Sequence, residues 1–120
     1  MLVLEVIDGP DLGSTFPLPQ GEPQLIGRSS ESLPLTDPTV SRRHAELTPD
    51  GNKWFLRDLD SSNGTFLNGR RLVDRVALRS SDEVGCGSTL FLVTERASLP
   101  TENILSSTNL DTSAESVIVT

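Results

Sequence analysis

Residues 41–47, Ser41-Arg42-Arg43-His44-Ala45-Glu46-Leu47, and residues 53–59, Lys53-Trp54-Phe55-Leu56-Arg57-Asp58-Leu59, decide the fold class. From His44 to Leu47 the chain alternates as a half-buried strand does, and Lys53 to Leu59 is a second run rich in strand formers. Thr48-Pro49-Asp50-Gly51-Asn52 between them is turn chemistry, so the pair reads as a β-hairpin. Ser41 to His44 then lie on the loop that enters it. A hydroxyl, two guanidiniums and an imidazole there form a dense set of donors, and guanidinium forks match phosphate or carboxylate geometry. On this stretch alone, a solvated basic turn whose hydroxyl caps its own backbone accounts for the residues equally well.

Upstream, Met1 to Ile7 alternates apolar and acidic residues, Asp8-Gly9-Pro10-Asp11 breaks the run, and Ser14 to Leu18 resumes it. Gln24-Leu25-Ile26 reads as a strand ending at Gly27-Arg28. Leu33-Pro34-Leu35 reads as a short one whose proline assigns it to an edge. Arg28 taken alone fits a surface pair with Glu31 or Asp37. Downstream, Asp60-Ser61-Ser62-Asn63-Gly64 reverses the chain, Thr65-Phe66-Leu67 is a three-residue strand, and Asn68-Gly69 is a two-residue hairpin turn. Leu72-Val73, Val76 to Leu78 and Glu83-Val84 are further short apolar pieces. Gly85-Cys86-Gly87 reads as a tight corner and Thr89 to Thr94 as the closing strand. About ten or eleven short strands with no helical period make the chain all-β, a sandwich or barrel.

The 120 residues suffice for one core, filled mainly by aliphatic side chains because there are four Phe, one Trp and no Tyr. A single cysteine, Cys86, rules out an intrachain disulfide and, with a single histidine, any Cys/His zinc cluster. Cys86 reads as a small buried apolar group. Neither a basic leader nor a long apolar run opens the chain, and the expectation is a cytoplasmic protein with no membrane contact, no metal and no cofactor. The formal charge of −7 has the wrong sign for a nucleic-acid binder. Residues 97–120 contain Glu102, Asp111 and Glu115 without a cation, which leaves −4 on residues 1–96. Within that body Arg28, Arg42, Arg43, Arg70 and Arg71 sit near turn signals, and at physiological salt such a cluster, not the total charge, governs anion docking. From Ala97 the composition turns to Ser, Thr, Asn and Glu, so residues 1–96 are expected to be the domain and 97–120 a flexible tail or linker in a longer protein.

Taken in order, Gly27-Arg28, Ser41-Arg42-Arg43-His44, Asp58-Leu59, Ser62-Asn63-Gly64-Thr65 and Asn68-Gly69 resemble the forkhead-associated (FHA) domain over about residues 1–96. The resemblance implies an eleven-stranded β-sandwich of two mainly antiparallel sheets with ligand loops at one end, and recognition of phosphothreonine peptides. It implies that Arg28, Ser41 and Arg42 hold the phosphate, that Ser62 lines the other wall, and that Asn63 grips the peptide backbone. It assigns Gly27 to a close loop approach, His44 and Gly64 to bracing the loops, and Thr65 to a hydrogen bond between them. It leaves the preference for the third residue after the phosphothreonine to loop residues, with Thr39, Arg70 and Arg71 as candidates.

Two other functions compete. One is a phosphate-independent interaction domain of the same fold. The other is a small hydrolase using Ser41 and His44, against which stands the lack of a third group to orient the imidazole. Thr101 with Ile104, Thr108 with Asp111 and Thr112 with Glu115 repeat the spacing of such ligands, so the domain's own tail, at Thr108 above all, is a candidate partner; in a Ser/Thr-rich linker such spacings also arise by chance.

Overall fold

The computed structural model describes residues 1–28 and 31–96. Among them run eleven strands: β1 (Leu2–Asp8), β2 (Thr15–Pro17), β3 (Gln24–Arg28), β4 (Leu33–Leu35), β5 (Ala45–Asp50), β6 (Lys53–Asp58), β7 (Thr65–Leu67), β8 (Arg70–Arg71), β9 (Val76–Ala77), β10 (Glu83–Cys86) and β11 (Thr89–Glu95). They form a six-stranded sheet ordered β2-β1-β11-β10-β7-β8 and a five-stranded sheet ordered β4-β3-β5-β6-β9. Every pairing is antiparallel except β3 with β4. The inward residues of the two sheets make one core, in which Leu4, Val6, Phe91 and Val93 of one sheet and Ile26, Leu47 and Leu56 of the other are fully buried. Pro34 stands on the edge strand β4, where its missing N–H breaks no ladder.

Three local readings change. The first hairpin turn is shorter than Thr48–Asn52: β5 continues through Pro49, which pairs with Trp54, and only Gly51-Asn52 reverse the chain. Gly51 alone has a positive φ, 63°, as a two-residue turn with glycine first requires. Leu72-Val73 is not a strand. The Asn68-Gly69 turn, with φ of 52° and 83°, places Arg70 opposite Leu67 and Arg71 opposite Phe66, so the arginines form β8 and Val73 is left exposed. Finally, β10 runs through Gly85 and Cys86, and the corner falls at Gly87-Ser88, because Cys86 pairs with Thr89 and fills the core. The tail threonines 101, 108 and 112 lie outside the described residues.

The site is placed by β5 and β6. They run between the Gly51-Asn52 turn at one end and the His44 and Asp58 loops at the other, so everything that follows happens at the second end.

Candidate functional site

Two loops converge at this end, residues 36–44 between β4 and β5 and residues 59–64 between β6 and β7. His44 joins them. It is fully buried; its Nδ1 accepts from the Ser41 amide at 3.0 Å, which leaves the proton on Nε2 to be donated to the Gly64 carbonyl at 2.8 Å. The ring therefore has no free nitrogen, and the Ser41 hydroxyl is not bonded to it. A serine hydrolase needs that bond, so the geometry does not supply the catalytic pair.

Ser41 Oγ accepts from the Ser62 amide at 3.0 Å, and its own hydrogen is left to point elsewhere. Asn63 Nδ2 donates to the Thr39 carbonyl at 2.7 Å, which fixes the side chain while its Oδ1 and second N–H stay available. Gly27 is buried beneath Arg42, and a Cβ there would fall on the Arg42 carbonyl, so only glycine lets β3 come this close. That approach delivers Arg28, whose amide bonds the Ser41 carbonyl at 3.1 Å. Among the described residues its guanidinium meets only the Pro38 carbonyl, at a long 3.5 Å, and pairs with neither Glu31 nor Asp37. Arg42 is exposed, with no partner for its amide among the described residues. Arg28, Ser41, Arg42, Ser62 and Asn63 thus line one concavity of about 290 Å³, together with Pro38, Thr39 and Val40.

Two carboxylates hold the loops in shape. Asp37, 1 % exposed, accepts from the Thr39 amide at 2.8 Å, the Thr39 hydroxyl at 2.6 Å and the Thr89 hydroxyl at 2.7 Å. Burial works to raise its pKa, but these hydrogen bonds, led by the Thr39 side chain, outweigh it and hold the carboxyl below its usual value. Asp58 accepts from the Ser61 hydroxyl and the Thr65 hydroxyl, each at 2.6 Å, and from the Ser61 amide at 3.2 Å. There too burial works to raise the pKa, and the hydrogen bonds from Ser61 and Thr65 outweigh it, so the carboxyl is lowered. Thr65 therefore closes its own loop at Asp58; it does not reach across to the Ser41 loop. Sequence reasoning missed Asp37, Ser61 and the Thr39 carbonyl as framing groups. A signal existed for Asp37, since an aspartate before a proline favours a turn and its carboxylate can bond the amide two residues on, as an Asx-turn.

Both carboxylates are saturated by neutral donors, which leaves the cations unneutralised. The ion pairs among the described residues are Arg57–Glu46 at 2.9 Å and the N-terminus–Glu95 at 2.6 Å; Arg28, Arg42, Arg43, Arg70 and Arg71 take part in neither. Cys86 is fully buried, and burial raises its thiol well above the ordinary range, so it is no nucleophile. No group of three or more His, Cys, Asp or Glu among the described residues is placed to hold a metal.

A β-sandwich that presents hydroxyl, amide and guanidinium donors from loops at one end, around an imidazole whose two nitrogens are both engaged, has the donor set to receive an anionic group. The comparisons with known proteins specify the class. Residues 25–87 match the FHA domain family. The FHA domain-containing protein FhaB of Mycolicibacterium smegmatis is 39 % identical over 89 residues, 73 % of this chain and 57 % of that protein. The glycogen accumulation regulator GarA of the same organism is 40 % identical over 85 residues, 71 % of this chain and 53 % of that protein. A solved structure from a study of phosphothreonine-dependent FHA domain interactions superposes with a TM-score of 0.70 at 33 % identity, over 80 % of this chain and 97 % of that one. The chain belongs to the FHA domain family, the phosphothreonine-binding interaction modules. It spans little more than half the length of the curated relatives it matches.

Proposed function

We propose that this chain recruits a phosphothreonine-bearing partner protein through the concavity between its two loops, as part of a signalling process in the cytoplasm. One observation carries the reading: Arg28, without a carboxylate partner, shares a single concavity with the Ser41 hydroxyl, the Arg42 amide, Ser62 and Asn63. Arg28 provides the charge-assisted fork and Ser41 the hydroxyl donor to the phosphate, with Arg42 adding its amide. Asn63 holds the peptide backbone with its free donor and acceptor, and Ser62 closes that wall. Gly27, His44 and Gly64 keep the two loops at this spacing, and Thr65 fixes the second loop through Asp58. Residues 1–96 act as the folded unit and 97–120 as a linker to further sequence. The tail's own Thr108, followed three residues later by Asp111, is a candidate ligand once phosphorylated.

A phosphothreonine brings a charge of about −1.5 to −2 and three acceptor oxygens. Two or three charge-assisted bonds at about 1.5–3 kcal/mol each, less several kcal/mol for ordering the peptide, give reversible binding. The test is a calorimetric titration with degenerate phosphothreonine, phosphoserine and unphosphorylated peptide libraries. Binding to phosphothreonine alone is expected. Equal binding to all three, or binding insensitive to Arg28→Ala, would favour a phosphate-independent interaction domain instead.

A further inference from the structure

An asparagine followed by glycine is chemically labile, because glycine has no Cβ to keep its backbone nitrogen from the preceding side chain. That nitrogen bonds to the asparagine Cγ and loses its proton, the carboxamide nitrogen leaves as ammonia, and water opens the resulting ring to aspartate or isoaspartate. Two such pairs occur in the chain, Asn63-Gly64 and Asn68-Gly69. They are held differently. Gly69 lies in an exposed turn, and its amide has no backbone partner among the described residues. Gly64 is buried, and its N–H is donated to Ser61 Oγ at 2.9 Å, while Ser61 gives its own hydrogen to Asp58 at 2.6 Å.

At the first pair neither residue is readily exchanged for a less reactive one. Asn63 lines the concavity, and Gly64 has a φ of 84°, in the left-handed region that residues with a Cβ rarely adopt. The reactivity is restrained instead. Ring closure removes the proton that Gly64 donates to Ser61, so that bond has to be given up, and the Asn63 carboxamide has to leave the Thr39 carbonyl, to which it donates at 2.7 Å. His44 holds the Gly64 carbonyl as well, at 2.8 Å. Ser61 and Asp58 do not form a base relay, since a carboxyl held below its usual value is too weak a base to take an amide proton. We propose that Asn63 is a deamidation site guarded by Ser61, whose hydroxyl holds the Gly64 N–H that ring closure must break. The consequence for binding rests on the phosphopeptide reading above: deamidation puts a carboxylate on the wall that meets a phosphate, and like charges repel.

The experiment ages wild type, Ser61→Ala, Ser61→Thr and Thr65→Val as folded proteins at mildly alkaline pH, and peptide mapping by mass spectrometry reads conversion at positions 63 and 68 separately. In Ser61→Ala, position 63 is expected to convert about fivefold faster, the equivalent of one lost hydrogen bond, with position 68 unchanged. Ser61→Thr restores the slow rate. Thr65→Val loosens Asp58 but keeps the bond from Gly64 to Ser61, and stays near wild type. No acceleration at position 63, equal acceleration at both positions, or the same acceleration in Thr65→Val would each overturn the assignment. Hydrogen exchange on wild type tests it without a variant: the Gly64 amide should exchange far more slowly than that of Gly69, and equal rates would overturn it. Fluorescence anisotropy with a phosphothreonine peptide follows the same aged samples, in which binding should decline in step with the fraction converted at position 63; Asn63→Asp should bind at least about tenfold more weakly than wild type. The mass readout needs no ligand, so a guarded Asn63 in a chain that binds no phosphothreonine peptide would overturn the phosphopeptide reading and leave this assignment standing.

Discussion

At one end of the sandwich a concavity of about 290 Å³ is lined by Arg28, Ser41, Arg42, Ser62 and Asn63; at the other, one of about 600 Å³ is lined by Met1, Leu18, Gln20, Pro49, Asn52, Trp54 and Glu95. The larger is the less prepared. Its charged groups, the N-terminus and Glu95, neutralise each other at 2.6 Å, and its floor is the buried edge of the core at Leu18 and Trp54. In the smaller, two carboxylates and an imidazole are spent on backbone amides and hydroxyls, so the loops are fixed and the cations are left over. Size therefore does not identify the site. The distribution of satisfied and unsatisfied polar groups does, because an ordered donor without a partner gains most from a ligand that supplies one.

The contrast can be broken at several points. Arg28→Ala has the largest expected effect: phosphothreonine-peptide affinity falls at least about a hundredfold, on the order of 3 kcal/mol, in a calorimetric titration, while thermal unfolding is nearly unchanged. His44→Ala comes next. It strands the Ser41 amide and the Gly64 carbonyl and opens a void, so denaturant unfolding should register a loss of about 2–3 kcal/mol, and affinity should fall with it.

A smaller effect follows from the acids. Asp37 and Asp58 both have folded pKa values below 3.8, so in acid the unfolded chain binds more protons than the native one. The stability they contribute is complete above the ordinary carboxylate value and is lost as pH falls through their lower folded values. Urea midpoints should hold level from about pH 7 to 5 and drop below about pH 4, and Asp37→Asn should start lower and fall less. The smallest effect is at the other end: Gln20→Ala or Asn52→Ala should leave phosphopeptide affinity unchanged and stability within about 0.5 kcal/mol. A loss of binding there would erase the distinction between the two ends.

The sequence carries the fold where local chemistry is decisive. Asn68-Gly69 demands a hairpin, and Pro34 demands an edge. It misleads where a tertiary constraint overrides local propensity: Pro49 remains in β5 opposite Trp54, and Arg70-Arg71 pair as β8 because the turn's register puts them there although neither is a strand former by pattern. The candidate site residues are visible as separated polar motifs on loops. Their framing is not, since Asn63 meets Thr39 across 24 residues and Thr89 meets Asp37 across 52, distances over which no spacing rule operates. What one sequence shows of Asp37 and Ser61 is turn chemistry; that they set the loops' shape emerges only when the strands bring them together.

The loop end, not the larger cavity, is expected to receive the phosphothreonine. Amide chemical shifts recorded during titration with a phosphothreonine peptide test it most directly. Arg28, Ser41, Arg42, Ser62 and Asn63 are expected to move and Gln20, Gly51, Asn52 and Trp54 to stay in place, with no change on adding the unphosphorylated peptide. Shifts centred on Gln20, Gly51, Asn52 and Trp54, or equal shifts with the unphosphorylated peptide, would contradict it.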